Sequence, residues 1–268
     1  MRVGWQLPLE RLSATSLATA IQCPEMFRQK YVLKTPEKNF GSRFVGSVDH
    51  EVSRRLATLR MNGLTPEPDV ISSIHKEAWN DTLTADGEPD WRDEDPVKMA
   101  QISELMAHLY WEQVLQFAPV VATEERVEFK VAGVPTKIVG YVDIIEAAQI
   151  RERKTTAAKQ TKPKAKWLLQ GLIYQRATGL PVRWDIVTRQ VTPQLYLCED
   201  HEDLYLPWRD ARYVDQMIAD TAKRLNDLYA QYGSDQPWPT NGLMSDWLCS
   251  YCAIGPRYAR TCPAWATE

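Results

Sequence analysis

The sequence contains no apolar stretch that approaches the roughly 18 residues needed to span a membrane. Its opening residues, MRVGWQLPLERLSATSL, also lack an apolar run long enough for a signal peptide. We therefore expect a cytoplasmic protein that contacts no membrane, and structural disulfides are rare in that compartment. No G-x4-G-K-[ST] motif is present, so these residues encode no ATP-driven motor of that type.

A strong charge of either sign is missing too. The 268 residues include 32 Lys and Arg against 35 Asp and Glu, which gives a formal net charge of −3. Any surface that binds a polyanion must therefore be local. With 44% hydrophobic and 25% charged residues, the composition is typical of a globular protein. We predict a single domain over residues 1–268.

The hydrophobic periodicity predicts helices first, then a sheet, and then helix, strands and a last helix. This order of elements indicates an α/β fold with a helical N-terminal part. The predicted parts are N-terminal helices at 1–40, a helical part at 41–119, a sheet core at 120–208, and a C-terminal helix with a cysteine-containing segment at 209–268.

One strand-like stretch, GYVDIIEAAQIRERKTT at 140–156, sets charged residues among β-branched apolar ones. A two-residue turn at Ala147-Ala148 would place Asp143 opposite Glu152, with Cβ atoms roughly 5 Å apart. Lys154 lies two residues beyond Glu152 and therefore shares its face. Because buried charges need a partner or a metal, this hairpin is the first candidate for a functional site.

Two carboxylates at that separation repel each other, and a divalent cation between them removes the repulsion. Mg²⁺ and Mn²⁺ suit an oxygen site made of one or two carboxylates, water and a substrate phosphate. Lys154 would then orient or deprotonate a water, or stabilise charge on the attacked phosphate. The alternative interpretation is a surface hairpin with an ordinary cross-strand salt bridge.

The cysteines indicate a second site. Cys249 and Cys252 form a C-x2-C pair, and Cys262 follows after nine intervening residues. Cys23, remote in sequence, would complete four thiolates, a set that both zinc and an iron–sulfur cluster accept. The alternative is that these thiols are free. Cys198 lies in a strand-like segment, where we expect a buried small hydrophobic side chain.

Two helical segments contain further candidates. Gln170 and Tyr174 are four residues apart on a helix predicted at 165–179, so they share a face. They either face a substrate near the carboxylates or are a surface amide and a core tyrosine. His50, on an earlier helix, is either structural or completes the ligand set of the metal.

The segment RERKTTAAKQTKPKAK at 151–166 holds seven basic residues and one acidic residue. Such a run is usually a solvated loop, but directly after a metal site it can follow a phosphate backbone. Trp167 either stacks on bases or belongs to the core. The candidate DNA-binding residues are Lys159, Lys162, Lys164 and Lys166.

In this order, the motifs resemble the PD-(D/E)xK nuclease superfamily over nearly the whole chain. The resemblance is to its RecB-like exonucleases with an iron–sulfur cluster, which include CRISPR-associated RecB-like exonucleases and the nuclease domain of AddB. Val142 replaces the proline of the nominal motif, and the gap from Cys252 to Cys262 is wider than the family's. The matching segments are LSATSLATAIQCPEMFRQKYV with Cys23, GSVDHEV with His50, GYVDII with Asp143, ERKT with Glu152 and Lys154, QGLIY with Gln170 and Tyr174, and CSYCAIGPRYARTC with the last three cysteines.

The resemblance implies a restriction-endonuclease-like core, a mixed sheet flanked by helices, with a helical N-terminal insertion and an iron–sulfur-bearing C-terminal segment. Lys154 would position or activate the attacking water, while Gln170 and Tyr174 would hold DNA or Lys154. The implied Mg²⁺ or Mn²⁺ ligands are His50, Asp143, Glu152 and the backbone carbonyl of Arg153. The implied ligands of a structural four-iron four-sulfur cluster, with Zn²⁺ as the alternative, are Cys23, Cys249, Cys252 and Cys262.

The implied activity is that of a metal-dependent DNA exonuclease that hydrolyses phosphodiester bonds from single-stranded ends. Its setting would be DNA recombination, repair, or phage- or CRISPR-related processing, with a helicase or a CRISPR integrase as partner. A homo-oligomer is compatible with this activity. The alternatives are an iron–sulfur DNA-binding adaptor, a CRISPR adaptation subunit in which catalysis is secondary, and a zinc-knuckle structural protein.

Overall fold

The computed structural model describes residues 4–240. Among these residues, no helix is long and apolar enough to cross a membrane. The helices are α1 Ala14–Gln22, α2 Pro24–Phe27, α3 Gly41–Met61, α4 Pro68–Asp86, α5 Pro96–Tyr110, α6 Ala165–Thr178 and α7 Ala211–Tyr232. The strands are β1 Arg11–Ser13, β2 Val120–Phe129, β3 Lys137–Glu146, β4 Ile150–Thr156, β5 Val182–Thr188, β6 Leu195–Tyr196 and β7 Tyr205–Leu206. Single π-helical turns follow α2 and α5, at Arg28–Val32 and Trp111–Leu115.

Local sequence signals explain where the helices begin and end. The Ser13 hydroxyl accepts the N–H of Ser16, and the Ser16 hydroxyl accepts the N–H of Ser13, which together form a capping box at the start of α1. Pro24 is the first residue of α2, where its missing N–H costs nothing. Gly179 ends α6 in a left-handed conformation at φ +75°, which glycine adopts without strain. The bounds of α6 confirm the helix predicted at 165–179.

Strands β3 and β4 form the predicted hairpin. They are antiparallel, with Ile144 opposite Arg151 and Ile145 opposite Ile150. This register is the one that a two-residue turn at Ala147-Ala148 predicts, so the turn position and the pairing are both confirmed. Since side chains alternate along a strand, the register also decides which residues of β3 and β4 share a face.

The hairpin belongs to a mixed sheet flanked by helices, which confirms the predicted restriction-endonuclease-like fold class. Strand β4 pairs in parallel with β5, and β6 and β7 pair antiparallel with β5. Strand β2 lies beside β3. Strand β1, which is parallel to β3, has no counterpart among the predicted elements. The strand-like segment expected around Cys198 is only the two residues Leu195–Tyr196.

The chain divides into two compact units. One consists of the described parts of Met1–Lys38, Glu128–Gly140 and Arg209–Glu268; the other consists of Asn39–Val127 and Tyr141–Trp208. In the first unit, the Glu25 carboxylate accepts hydrogen bonds from the Arg28 guanidinium and from the Trp238 N–H. That both units form one domain over 1–268 stays a prediction.

The second unit contains helices on both faces of its strands. Helices α3, α4 and α5 form a core with Ile144 of β3 and Val187 of β5. Helix α6 lies against the opposite face, where Gly171 approaches the Trp184 indole so closely that a Cβ would lie 2.8 Å from it. The absence of a side chain at Gly171 therefore lets α6 lie close to β5.

Candidate active site

The hairpin brings the predicted charged residues together. The Lys154 ammonium of β4 lies 2.6 Å from the Glu152 Oε1 of the same strand. On β3, Asp143 Oδ2 accepts the backbone N–H of Arg153 at 2.8 Å. This contact fixes the Asp143 carboxylate against the strand that carries Glu152 and Lys154.

His50 approaches Asp143 from α3, with its Nδ1 3.3 Å from Asp143 Oδ1. Removal from water lowers the pKa of His50, but the charge and hydrogen bond of Asp143 outweigh it and raise that pKa to about 9. Burial raises the pKa of Asp143, whereas the charges of His50 and Lys154 and the hydrogen bond from the Arg153 N–H lower it. The second group of effects is larger, so the pKa of Asp143 lies below its ordinary value. The His50 side chain is 34% exposed and that of Asp143 13%, so this end of the site is open to solvent.

Glu152 is the most deeply buried member of the group, with 1% of its side chain exposed. Its Oε1 accepts hydrogen bonds from Lys154 and from Gln170 Nε2, each at 2.6 Å. Within residues 4–240, its Oε2 has no hydrogen-bond partner. Burial and the charge of Asp143 raise the pKa of Glu152 to about 7. A buried carboxylate oxygen without a partner is costly, and a cation would satisfy it.

Lys154 keeps its proton. Burial lowers the pKa of Lys154, but the charges of Glu152 and Asp143 outweigh burial, and the pKa is raised above its ordinary value. At neutral pH the side chain is therefore an ammonium ion. In the metal-free site it can therefore donate hydrogen bonds and stabilise negative charge.

Helix α6 supports the carboxylates. Gln170 Nε2 contacts both Glu152 Oε1 and, at 2.9 Å, the hydroxyl of Tyr174. The Tyr174 hydroxyl donates to the backbone carbonyl of Tyr141 at 2.5 Å. Gln170 therefore orients Glu152. That Gln170 and Tyr174 hold DNA or Lys154 stays a prediction. Tyr174 is only 4% exposed, and its contact holds β3 in place.

A buried ion pair lies directly beside these residues, and sequence reasoning did not single it out. Arg153 donates from Nε and Nη2 to the two oxygens of Asp49, at 2.9 and 2.8 Å. Its guanidinium also lies 3.7 Å from the centre of the Tyr110 ring. Asp49 is adjacent to His50, and Arg153 lies between Glu152 and Lys154. The Asp49–Arg153 pair therefore holds α3, which carries His50, against β4, which carries Glu152 and Lys154.

A further carboxylate also reaches the site. His50, Glu124 and Asp143 each offer one ligand atom, and these atoms lie within 4.8 Å of one another. Glu124 is in β2, with a backbone φ of +50°. Burial and the Asp143 charge raise its pKa. The sequence around it, TEERVEF, contains several acidic residues and no feature that distinguishes this one.

The comparison with known families agrees with this geometry. A profile of the PD-(D/E)XK nuclease superfamily matches residues 11–263, which is most of the chain. The chain belongs to the PD-(D/E)XK nuclease superfamily. The match extends from β1 through the hairpin and into the C-terminal segment. Divalent metal ions are general cofactors of this superfamily, and the site of this nuclease offers oxygen and nitrogen ligands suited to them.

Solved structures similar to this nuclease include that of SSO0001. It has a TM-score of 0.45 and 18% identity, and the match covers 96% of this chain and 88% of that one. A second is a Eubacterium rectale protein called a putative exonuclease, with a TM-score of 0.48, 12% identity, and coverage of 81% of this chain and 82% of that one. Among curated proteins, no significant match is found.

The predicted DNA-binding lysines of the nuclease precede α6 or lie in its first turn. The Lys159 ammonium lies 5.5 Å from the centre of the Tyr196 ring, and that of Lys162 lies 3.1 Å from Asp203 at an exposed position. Lys164 lies 5.2 Å from the Trp167 ring. Trp167 is only 6% exposed, so the base-stacking interpretation of this residue is wrong and the core interpretation is confirmed.

Of the four cysteines predicted to form the second site, only Cys23 lies within residues 4–240. Cys23 lies directly before α2, is partly exposed, and forms no disulfide with another cysteine of residues 4–240. The other three predicted ligands, Cys249, Cys252 and Cys262, lie outside the described residues. Cys198 is buried as predicted, although it follows β6 rather than lying in it, and burial raises the pKa of its thiol to about 11.

Proposed function

We propose that the chain is a Mg²⁺- or Mn²⁺-dependent DNA exonuclease that hydrolyses phosphodiester bonds from single-stranded ends. The observation that carries this proposal is the buried Glu152 oxygen that has no hydrogen-bond partner among residues 4–240, in a site shared with Asp143, His50 and Lys154. The chain belongs to a nuclease superfamily, and such a site could bind the cation that assists phosphodiester hydrolysis.

The residues that would hold the ion are His50, Asp143, Glu152 and the backbone carbonyl of Arg153. Carboxylate and carbonyl oxygens suit both ions, and an imidazole nitrogen suits Mn²⁺ better than Mg²⁺. When bound, the ion polarises the scissile phosphate and neutralises charge on the leaving oxygen.

The chain's own residues orient the reaction. The Lys154 ammonium, held by Glu152, donates a hydrogen bond to the attacking water and stabilises negative charge on the phosphate. Gln170 holds Glu152 in one orientation, and Tyr174 holds β3 through the Tyr141 carbonyl. The site is therefore arranged in advance of substrate binding, which is what electrostatic catalysis requires.

The substrate would approach over the basic segment and β3. Lys159, Lys162, Lys164 and Lys166 follow β4 along the chain and would supply positive charge for a phosphate backbone. Tyr141 is 47% exposed and lies on the same face of β3 as Asp143, so its ring is available for stacking with an unpaired base. An exposed aromatic ring beside the metal site supports a single-stranded substrate.

A four-iron four-sulfur cluster held by Cys23, Cys249, Cys252 and Cys262 remains part of the proposal, with Zn²⁺ as the alternative. Its role would be structural, because phosphodiester hydrolysis needs no redox step. Anaerobically purified protein should be brown and contain about four iron atoms per chain. Zinc at one atom per chain and a colourless protein would support the alternative.

Recombination, repair, or phage- or CRISPR-related DNA processing is the proposed setting. A partner helicase or integrase would supply the strand ends, because the sequence has no ATP-binding motif of the G-x4-G-K-[ST] type. The alternative is a DNA-binding adaptor in which catalysis is secondary.

The test is digestion of end-labelled linear single-stranded DNA with Mn²⁺, with Mg²⁺ and with EDTA. A circular strand of the same sequence distinguishes exonuclease from endonuclease activity. We expect cleavage of the linear strand with either metal, loss of cleavage in EDTA and in Glu152→Gln, and retention in the exposed control Glu125→Gln. Binding of DNA without cleavage under any condition would favour the adaptor.

A further inference from the structure

Glu124 lies outside every motif that predicts the site, yet its carboxylate reaches the site. One ligand atom from each of Glu124, His50 and Asp143 lies within a 4.8 Å group. The three come from separate elements, β2, α3 and β3. A group of this size suits one divalent cation, whose ligands lie about 2.0–2.6 Å from the ion.

The backbone at Glu124 is also unusual. Its φ of +50° is in the left-handed region, which is rare for a residue with a side chain, and it lies within a strand. Such a conformation costs of the order of 1–3 kcal/mol and persists where the surroundings impose it, often at functional sites. Adjacent Glu125 has no such constraint on its backbone.

A second observation points to a cation near this group. Glu152 is fully buried, and one of its oxygens has no hydrogen-bond partner within residues 4–240. The charges of Asp143 and His50 act on this carboxylate. The same two charges also act on Glu124, so both carboxylates lie near Asp143 and His50. A divalent ion would satisfy the free oxygen and relieve the repulsion between carboxylates.

We infer that Glu124 is a ligand of the divalent cation, together with His50 and Asp143, and that it contributes to the affinity for Mn²⁺. This inference rests on the proposed metal-dependent function. It adds a ligand from β2 to the set implied by the motifs.

The test is equilibrium binding of Mn²⁺ alone to the full chain, without DNA, followed by the electron paramagnetic resonance signal of free Mn²⁺. For Glu124→Gln we expect a rise in Kd of at least roughly tenfold, since even outer-shell substitutions weaken metal sites by about 10- to 100-fold. The control Glu125→Gln, at the adjacent exposed position, should bind within about twofold of wild type.

A second variant guards against misfolding. Glu124→Gly removes the carboxylate and also relieves the left-handed backbone, so the metal-free protein should unfold at or above the wild-type temperature. The rise in unfolding temperature that Mn²⁺ causes in wild type should shrink in this variant, because a ligand that binds only the folded state stabilises it.

The outcomes distinguish this inference from the proposed function. If wild type binds Mn²⁺, Asp143→Asn loses that binding, and both Glu124 variants bind like wild type, Glu124 is not a ligand and the metal-dependent function stands. If wild type binds no Mn²⁺ and cleaves DNA in EDTA, the metal-dependent function fails and the inference fails with it.

Discussion

Both faces of strand β4 carry charged residues, but the buried carboxylates on the two faces differ in how completely they are hydrogen-bonded. Arg151 and Arg153 point to one face, and Glu152 and Lys154 to the other. On the first face the carboxylates are saturated: both Asp49 oxygens bind Arg153, and Asp185 accepts from Arg151 and from the Tyr110 hydroxyl. On the second face, a Glu152 oxygen has no partner within residues 4–240.

This difference separates structural charge from functional charge. Burying a charge is tolerated when its hydrogen bonds are satisfied, and a satisfied pair holds two elements in a fixed geometry. Leaving a buried carboxylate unsatisfied destabilises the metal-free fold, and the cost is recovered only when a ligand binds. The first face should therefore contribute to stability, and the second to chemistry.

The largest effect should come from removing the unsatisfied carboxylate. With Mn²⁺, Glu152→Gln should lower the rate of single-strand digestion by about a thousandfold or more, because a metal ligand supplies several kcal/mol of transition-state stabilisation. In EDTA at pH 8 the same variant should be at least as stable as wild type, since it removes a buried charge whose pKa is raised. Urea unfolding measures the second effect, and a loss of stability would contradict the division between the faces.

Removing Asp49, whose two oxygens both bind Arg153, should do the reverse. Asp49→Ala leaves the Arg153 charge buried and should lower the free energy of unfolding by about 3–5 kcal/mol. The control is Glu51→Ala on the same helix, which removes partly exposed salt bridges to Arg54 and Arg55 and should cost less than about 1 kcal/mol. Equal losses in the two variants, measured by urea unfolding, would show that the Asp49 pair is not special.

Two helix glycines near the sheet sharpen the comparison of helix packing on its two sides. In α6, Gly171→Ala places a Cβ 2.8 Å from Trp184 and should cost about 1–3 kcal/mol, with displacement of Gln170 and reduced cleavage. In α3, Gly46→Ala meets only the Thr155 hydroxyl at 3.5 Å and should stabilise the protein by about 1 kcal/mol. Thermal unfolding and digestion rates of both variants test this; stabilisation by the Gly171 variant would contradict the close packing of α6.

Metal-free stability should fall as pH rises from 5 to 9. The pKa of His50 is raised to about 9, so its pairing with Asp143 is fully present below about 6.5 and lost as pH rises through 9. The pKa of Glu152 is raised to about 7, so its ionisation also costs stability as pH rises from about 4.5 through 7. Urea unfolding in EDTA across this range measures the slope. In His50→Gln, the free energy of unfolding should depend less on pH above pH 7. An unchanged pH dependence there would contradict the pairing of His50 with Asp143.

The smallest effect should come from the exposed lysines, which belong to neither face. Lys162→Gln should weaken binding of single-stranded DNA only a few-fold. If Lys162 contacts one phosphate, the slope of log Kd against log salt concentration should fall by about 0.7 in this variant. Fluorescence anisotropy with a labelled strand at several salt concentrations measures both quantities. Lys137→Gln, on β3 outside the basic segment, is the control, and an equal effect there would remove the argument for a phosphate track.

The hairpin could be predicted from sequence because its signals are local. β-branched residues, a short turn and a period of two determine which of Asp143, Glu152 and Lys154 share a face. Helix ends such as Ser13, Pro24 and Gly179 were predictable for the same reason. Strand β1 was not, because three residues give too short a pattern and its pairing partner is more than a hundred residues away.

The sequence by itself determined most of the strands and helices, the register of the hairpin and the order of motifs that indicates a nuclease. Only the tertiary structure decided which charges are satisfied. Asp49, Glu124 and Tyr110 come from separate elements, and their contacts with Arg153, Asp143 and Asp185 depend on how helices and strands pack. Hydrogen bonding and desolvation act over a few ångströms in space, so no pattern along the chain reveals which buried carboxylate is left free for a cation.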